Sequence, residues 1–189
     1  METEIDADGA YKRLNRLVAV TVVILSVFMA VSKIKDDNIV QAMQKAKSES
    51  VDAWTEYQAA RIKLHVDENG LAQLKLLETA GNYDKQLATR QAAEYEADLA
   101  KYRKRSEETM AKAKALEAEY ERLGFKDDQF DMSEAFLAIA IAVAAVAALV
   151  ESYALLMFAW GSGAIGIVFG LAAFLGWGIR LEWLVKLLT

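Results

Sequence analysis

YDKQLATRQAAEYEADLAKYRKRSEETMAKAKALEAEYERL, residues 83–123, decides the fold, because it offers one long helical pattern with neither Gly nor Pro. Apolar or small residues recur in it at Ala92, Tyr95, Leu99, Tyr102, Ser106, Thr109, Ala113, Leu116, Tyr120 and Leu123, at spacings of three and four. That is a heptad seam, the stripe by which one helix packs along another. Glu94, Glu96, Asp98, Lys101, Arg103, Lys104, Arg105, Glu107 and Glu108 occupy the other positions, so the remaining faces are suited to water. The helix needs a partner along one stripe only.

Composition divides the 189 residues into apolar ends and a charged middle. Between Asp36 and Phe130 there are 15 Lys and Arg against 19 Asp and Glu, a net charge of −4 with both signs interleaved. Such a balance fits a solvated helical rod and argues against a nucleic-acid surface. Cys is absent, which excludes disulfides, thiolate nucleophiles and Cys-type metal sites. Pro is absent as well, and the loss of the strongest helix interrupter predicts few, long helices.

Upstream of the charged middle, Lys12, Arg13 and Arg16 precede an uncharged run, Leu17 to Ser32, that ends at Lys33 and Lys35. Sixteen residues make about 24 Å of helix, enough to cross a bilayer if Arg16 and Lys33 snorkel outward. A cleaved signal peptide is the rival reading, but Ser32-Lys33-Ile34 offers no small-residue cleavage site, so a retained anchor is expected. Residues 1–10 are acidic and read as a tail. The anchor helix is expected to run on to Val66, with a seam at Ile39, Met43, Ala46, Ser50, Ala53, Tyr57, Ala60 and Leu64, and with Trp54 and Tyr57 supplying much of its apolar area. Asp67-Glu68-Asn69-Gly70 reads as a turn, Leu71 to Thr79 as a short helix, and Gly81-Asn82 as a break. Two arms of about 46 and 60 Å then fit one antiparallel hairpin.

Downstream, Gly124 is expected to end the rod, and Asp131 with Glu134 to cap a new helix. Ala135 to Val150 is uncharged, with Ala138, Ala142 and Ala145 on one face, which predicts close packing there. Glu151 interrupts the apolar sequence. Ser152 to Ile179 is again uncharged, and Ser162, Gly166 and Gly170 in it follow the small-xxx-small spacing by which membrane helices approach each other. Arg180, Glu182, Trp183 and Lys186 read as interfacial anchors.

No catalytic constellation emerges. His65 is the only histidine, so a His metal set or Ser-His triad lacks members within one chain, and a helix-surface or seam role is expected. Glu151 reads as a hydrophilic turn at the membrane surface, with an intramembrane carboxylate on an ion path as the alternative. Lys101, Arg103, Lys104 and Arg105 form the densest basic run, but Glu107 and Glu108 follow four residues after Arg103 and Lys104 and neutralise it along the helix. Gly161, Gly163 and Gly166 have neither a preceding strand nor a following Lys, so they read as packing residues rather than a phosphate loop.

Two stretches, WTEYQAARIK (Trp54, Tyr57, Gln58, Ala59, Ile62, Lys63) and FDMSEAFLAIA (Phe130, Asp131, Glu134, Ala135, Leu137, Ile139, Ala140), resemble bacterial domain-of-unknown-function family 4337. The layout is similar too: one span, a coiled-coil middle, then a hairpin of two spans. The sequence departs from the family pattern at Glu56, where an aromatic is usual, at Ala60, where Lys is usual, and at Glu151, where basic residues are usual. The resemblance implies a bacterial membrane protein and no activity.

The expected fold is therefore all-α: an N-terminal tail (1–16), a first transmembrane helix (17–35), a helical hairpin or coiled-coil rod (36–130), two further transmembrane helices (131–151 and 152–180) and a C-terminal tail (181–189). Lys12, Arg13 and Arg16 favour a cytoplasmic amino terminus, while Lys33, Lys35, Arg180 and Lys186 favour the reverse. The basic turn usual in the family serves as tiebreaker and gives an extracytoplasmic rod in the bacterial inner membrane. The expected role is a non-enzymatic, homo-oligomeric scaffold or accessory subunit, with a channel or transporter subunit as the alternative. Its partners would be the lipid bilayer, further copies of itself and a larger membrane complex, with no cofactor and no nucleic acid. Trp54, Tyr57, Leu99, Tyr102, Leu116, Tyr120, Ser162, Gly166 and Gly170 are the candidate packing and interaction residues.

Overall fold

A computed structural model describes residues 2–81 and 83–178, with side chains from Tyr11 onward. Among these residues the regular structure is wholly helical: α1 (Glu2–Ala80), α2 (Lys85–Leu149) and α3 (Tyr153–Leu175). Each contains a segment long and apolar enough to cross a membrane.

The helix ends are set by a few residues. Gly81 closes α1 with φ 78°, a left-handed conformation that glycine adopts without a Cβ clash. The Asp84 carboxylate opens α2 by accepting from the backbone N–H groups of Gln86 (2.9 Å) and Leu87 (3.2 Å). Between α2 and α3 the chain turns at Glu151, a non-glycine residue with φ 53°, and the Ser152 hydroxyl accepts from Leu155 N–H at 3.5 Å to cap α3. Gly176 ends α3 with φ 71°.

Several expected boundaries are overturned. The N-terminal segment is helical from Glu2, and Leu14 is fully buried, so packing of the first apolar segment begins ahead of Leu17. No turn occurs at Asp67–Gly70, and Leu71 to Thr79 is the end of α1 rather than a separate helix. Gly70 serves close approach instead: a Cβ there would lie 2.6 Å from Cζ of Tyr95. Gly124 does not end a helix, although the second compact unit stops close to it, at Glu121, and Asp131 with Glu134 caps nothing, since α2 passes through all three. A glycine inside a helix costs only about 1 kcal/mol, while Leu123, Phe130 and Met132 around it are buried and hold the helix in place. The third apolar helix stops at Leu175, short of residue 180. Arg180, Glu182, Trp183, Lys186 and the expected tail 181–189 lie outside the described residues.

The chain forms two compact units, one of Met1–Ala42 with Arg122–Thr189, the other of Met43–Glu121. In the first, the three helices pack around apolar clusters, two of which lie among the described residues. One holds Leu14, Val18, Ala144, Ala147, Leu156 and Ala159, the other Leu25, Leu137 and Ala140. Phe130 stands edge-on to Phe174 at 5.1 Å, and Phe136 stacks on Phe169 at 6.2 Å. The outside of this unit is apolar. Val20, Val23, Ile24, Val27 and Val31 on α1, and Met157, Phe158, Val168 and Leu171 on α3, are all exposed.

The second unit is a pair of helical segments with the opposite surface. Ala46, Ser50, Ala53, Ala60 and Leu64 of α1 are buried, as are Ser106, Thr109 and Ala113 of α2. Cross-helix partners fall in number along α2 as they rise along α1: Lys47 with Tyr120, Trp54 with Glu117, Glu56 with Arg105 and Lys63 with Tyr102. The two segments therefore run antiparallel. Small seam residues let the backbones approach, so the contact is made of many short van der Waals distances rather than a wide apolar core.

Candidate functional site

The candidate residues of the second unit lie along the seam. Tyr57, Leu99, Tyr102, Leu116 and Tyr120 are half-buried there, and Trp54 meets Tyr57 edge-on at 5.5 Å. The Trp54 indole N–H donates to Glu117 at 2.8 Å across the helix pair. The Tyr102 ring carries two ammonium groups, Lys63 at 5.2 Å and Lys101 at 5.1 Å. These positions are thus engaged within the chain itself.

Of the basic run, Lys101, Lys104 and Arg105 line a surface groove with Glu56, Lys63 and Glu108, and Arg103 does not. Arg105 donates to Glu56 at 2.8 Å across the pair, Lys104 lies 3.9 Å from Glu108, and Lys101 lies 3.6 Å from Asp98. Neutralisation is therefore only partly along the helix, and Arg105 finds its carboxylate on α1. All of these groups are exposed, where one ion pair contributes at most about 1 kcal/mol. His65 is exposed, with Nδ1 3.0 Å from Glu68 and Nε2 3.4 Å from Arg61. Among the described residues no group of three or more His, Cys, Asp or Glu side chains has the geometry to hold a metal ion.

In the first unit, Ser162, Gly166 and Gly170 are buried on α3 and face the chain's own helices. Ser162 donates to the Phe136 carbonyl at 2.8 Å. A Cβ on Gly166 would lie 2.8 Å from Leu137 Cγ and 3.0 Å from the Ser133 carbonyl, and one on Gly170 would lie 2.7 Å from the Phe28 ring. The alanine face expected to pack closely is the wrong one: Ala138, Ala142 and Ala145 are exposed, and Ala140, Ala144 and Ala147 are buried. Glu151 is exposed in the turn between α2 and α3.

A polar cluster that sequence reading did not single out stands at one edge of this unit. Asp36 is 3% exposed. Its Oδ2 accepts from Lys33 Nζ at 3.0 Å, and the same ammonium lies 3.5 Å from Glu134 and 3.8 Å from Asp37. Across from it on α2, burial pushes the Asp127 carboxyl up to about 6, with the negative charge of Asp131 and then contact with Asp36 adding to the effect. Deeper on the two helices, one turn from Asp36 and nearly two from Asp127, the hydroxyls of Ser32 and Ser133 are buried without a hydrogen-bond partner.

The profile of the family described as Domain of unknown function (DUF4337) matches residues 14–176, from the first buried leucine of α1 to the C-cap of α3. The chain belongs to this family. No curated protein and no solved structure matched it. Of the stretches that carry the DUF4337 resemblance, Trp54 and Tyr57 lie on the seam side, Ala59 and Lys63 are exposed at the groove shared with α2, and Gln58 and Ile62 are exposed as well. Phe130, Leu137 and Ala140 of the second stretch are buried where α2 meets its neighbours.

Proposed function

We propose that this DUF4337 protein is a non-enzymatic, membrane-anchored scaffold or accessory subunit of the bacterial cytoplasmic membrane, in which the apolar segments of the first unit cross the bilayer as three spans, its charged edge around Asp36 and Asp127 lies outside them, and the second unit stands in water as an antiparallel coiled-coil rod. The observation that carries the reading is the contrast between the two surfaces. Val23, Val27, Phe158 and Met157 of the first unit are each about three-fifths exposed, an apolar exterior that water would not tolerate over such an area. The exposed faces of the second unit carry interleaved Lys, Arg, Asp and Glu.

The mechanism is association between copies through faces the fold leaves open. Ser162, Gly166, Gly170 and both heptad seams are occupied within one chain, which supports a reading in which copies meet through other faces. Val51, Ile62 and Val66, more than half exposed on the outer flank of α1, offer the second apolar edge that a two-helix rod has available for a neighbour. Lys12, Arg13 and Arg16 ahead of the first span support a cytoplasmic amino terminus and hence an extracytoplasmic rod.

The test uses the absence of cysteine. Ile62→Cys should give a disulfide-linked dimer on mild oxidation in native membranes, while Glu107→Cys, on the charged flank, should not. An Ile62→Cys chain that stays monomeric under conditions that oxidise free thiols would remove the homo-oligomeric reading.

A further inference from the structure

The buried carboxylate of Asp36 has one oxygen satisfied and one not. Lys33 donates to Oδ2, but no donor reaches Oδ1, although that atom is sealed from solvent. A buried carboxylate oxygen without a donor is costly, and such groups are rare in folded proteins. What stands within hydrogen-bonding reach of Asp36 from α2 is another carboxyl, Asp127. Two ionised carboxylates offer only acceptors, so the contact is repulsive unless a proton sits between them.

We propose that Asp36 and Asp127 form one proton-binding site, in which a proton held on Asp127 is donated to Asp36 Oδ1 and ties α1 to α2 at the edge of the apolar bundle. The surroundings favour the proton. From α1 the site is faced by Lys33 and Asp37, and the Lys33 ammonium is divided among Asp36, Asp37 and Glu134. From α2 it is faced by Asp128, Asp131 and Glu134, all of which add negative charge, and α3 brings no charged residue between Tyr153 and Leu175. An added proton removes a repulsion and supplies the missing donor at once.

The site makes the junction sensitive to mild acid. Asp127 binds its proton at about 6 in the folded chain and near 3.8 when unfolded. The stabilisation from that proton is therefore fully present below the unfolded value and is lost as pH rises through about 6. At neutral pH Asp127 has given up its proton and the contact between α1 and α2 is repulsive here; below the folded midpoint they are joined.

Carboxyl carbon resonances of isotope-labelled aspartate in the intact, detergent-solubilised chain test this directly. The resonance removed by Asp127→Asn should titrate with a midpoint near 6 in the wild type. Asp36→Asn should lower that midpoint by about one unit, because it deletes the facing charge. Thermal unfolding supplies the second readout: the wild type should gain stability between pH about 7.5 and about 5, and Asp127→Asn, which keeps a donor toward Asp36, should gain clearly less, the remainder coming from Asp131, whose carboxyl burial also holds above the usual range. A wild-type midpoint in the ordinary carboxylate range overturns the proposal. So does an Asp127→Asn chain that gains as much stability on acidification as the wild type, or a midpoint unmoved by Asp36→Asn; if that last variant does not fold, the first two measurements still decide.

Discussion

Replacing Gly166 by Ala tests whether the small residues of α3 serve the chain's own packing. The new methyl would meet Leu137 Cγ at 2.8 Å, the Ser133 carbonyl at 3.0 Å and Leu137 N at 3.1 Å. Two of those three atoms belong to the α2 backbone, so relief requires the helices to move apart rather than a side chain to rotate. Overpacking of this kind costs about 1–3 kcal/mol, against which the better helix propensity of Ala returns up to about 1 kcal/mol. A net loss of about 1–2 kcal/mol is expected, or roughly a tenfold rise in the unfolded population. Gly161, with nothing within 4 Å of its would-be Cβ, is the internal control, and Gly161→Ala should be neutral or slightly stabilising. Gly170→Ala should fall between them, since its neighbours are the Phe28 ring and the Ser133 hydroxyl, both side-chain atoms that can yield. Reversible denaturant unfolding in one detergent, followed by circular dichroism, gives the order. If Gly166→Ala proves as stable as Gly161→Ala, the packing of α3 onto α2 described above is wrong.

The remaining predictions concern the turn and the seam. Glu151→Gly should stabilise the chain by about 0.5–1 kcal/mol, because Glu151 holds a left-handed conformation with an exposed side chain; the same unfolding assay would show no gain if the turn relaxes in solution. Glu151→Gln should leave ion leakage from reconstituted vesicles unchanged, and a pH-dependent current abolished by this substitution would favour a channel. Leu99→Lys with Leu116→Lys, both half-buried on the seam of α2, should cost about 1–2 kcal/mol each in lost burial, softened by snorkelling. Hydrogen exchange across residues 43–66 should accelerate, whereas unchanged protection would mean that the seam contributes nothing to the pairing.

The three-four seams were legible because each mixes apolar and small residues with charges on the other faces. Every seam position named on α2, from Ala92 to Leu123, is at least half-buried. Boundaries were less legible. Gly70 and Gly124 look like breaks in sequence, yet in a proline-free chain a single glycine is only a weak interrupter, and at Gly70 the ring of Tyr95 explains it better than a turn does. The alanine face of α2 was misplaced because Ala occupies several faces between Ala135 and Ala148, so periodicity alone cannot choose among them. The acid pair was missed because charged residues were read as solvated. Carrying the α1 seam back from Ile39 by three and then four residues lands on Asp36 and Ser32, and carrying the α2 seam on from Leu123 lands on Asp127 and Phe130. All four are buried or half-buried, so the signal was a carboxylate on each stripe at facing positions.

Two single cysteines in this cysteine-free chain test the central claim that one unit lies in a bilayer and the other in water. Asn69→Cys, on the exposed surface of the second unit, should react with a membrane-impermeant maleimide in intact spheroplasts. Val27→Cys, on the apolar exterior of the first, should stay unreactive before and after lysis and label only once detergent is added. Labelling of Asn69→Cys only after lysis would move the rod to the cytoplasm. Labelling of Val27→Cys in lysed but detergent-free membranes, at the rate of Asn69→Cys, would contradict the account, because it would place the apolar helices in water.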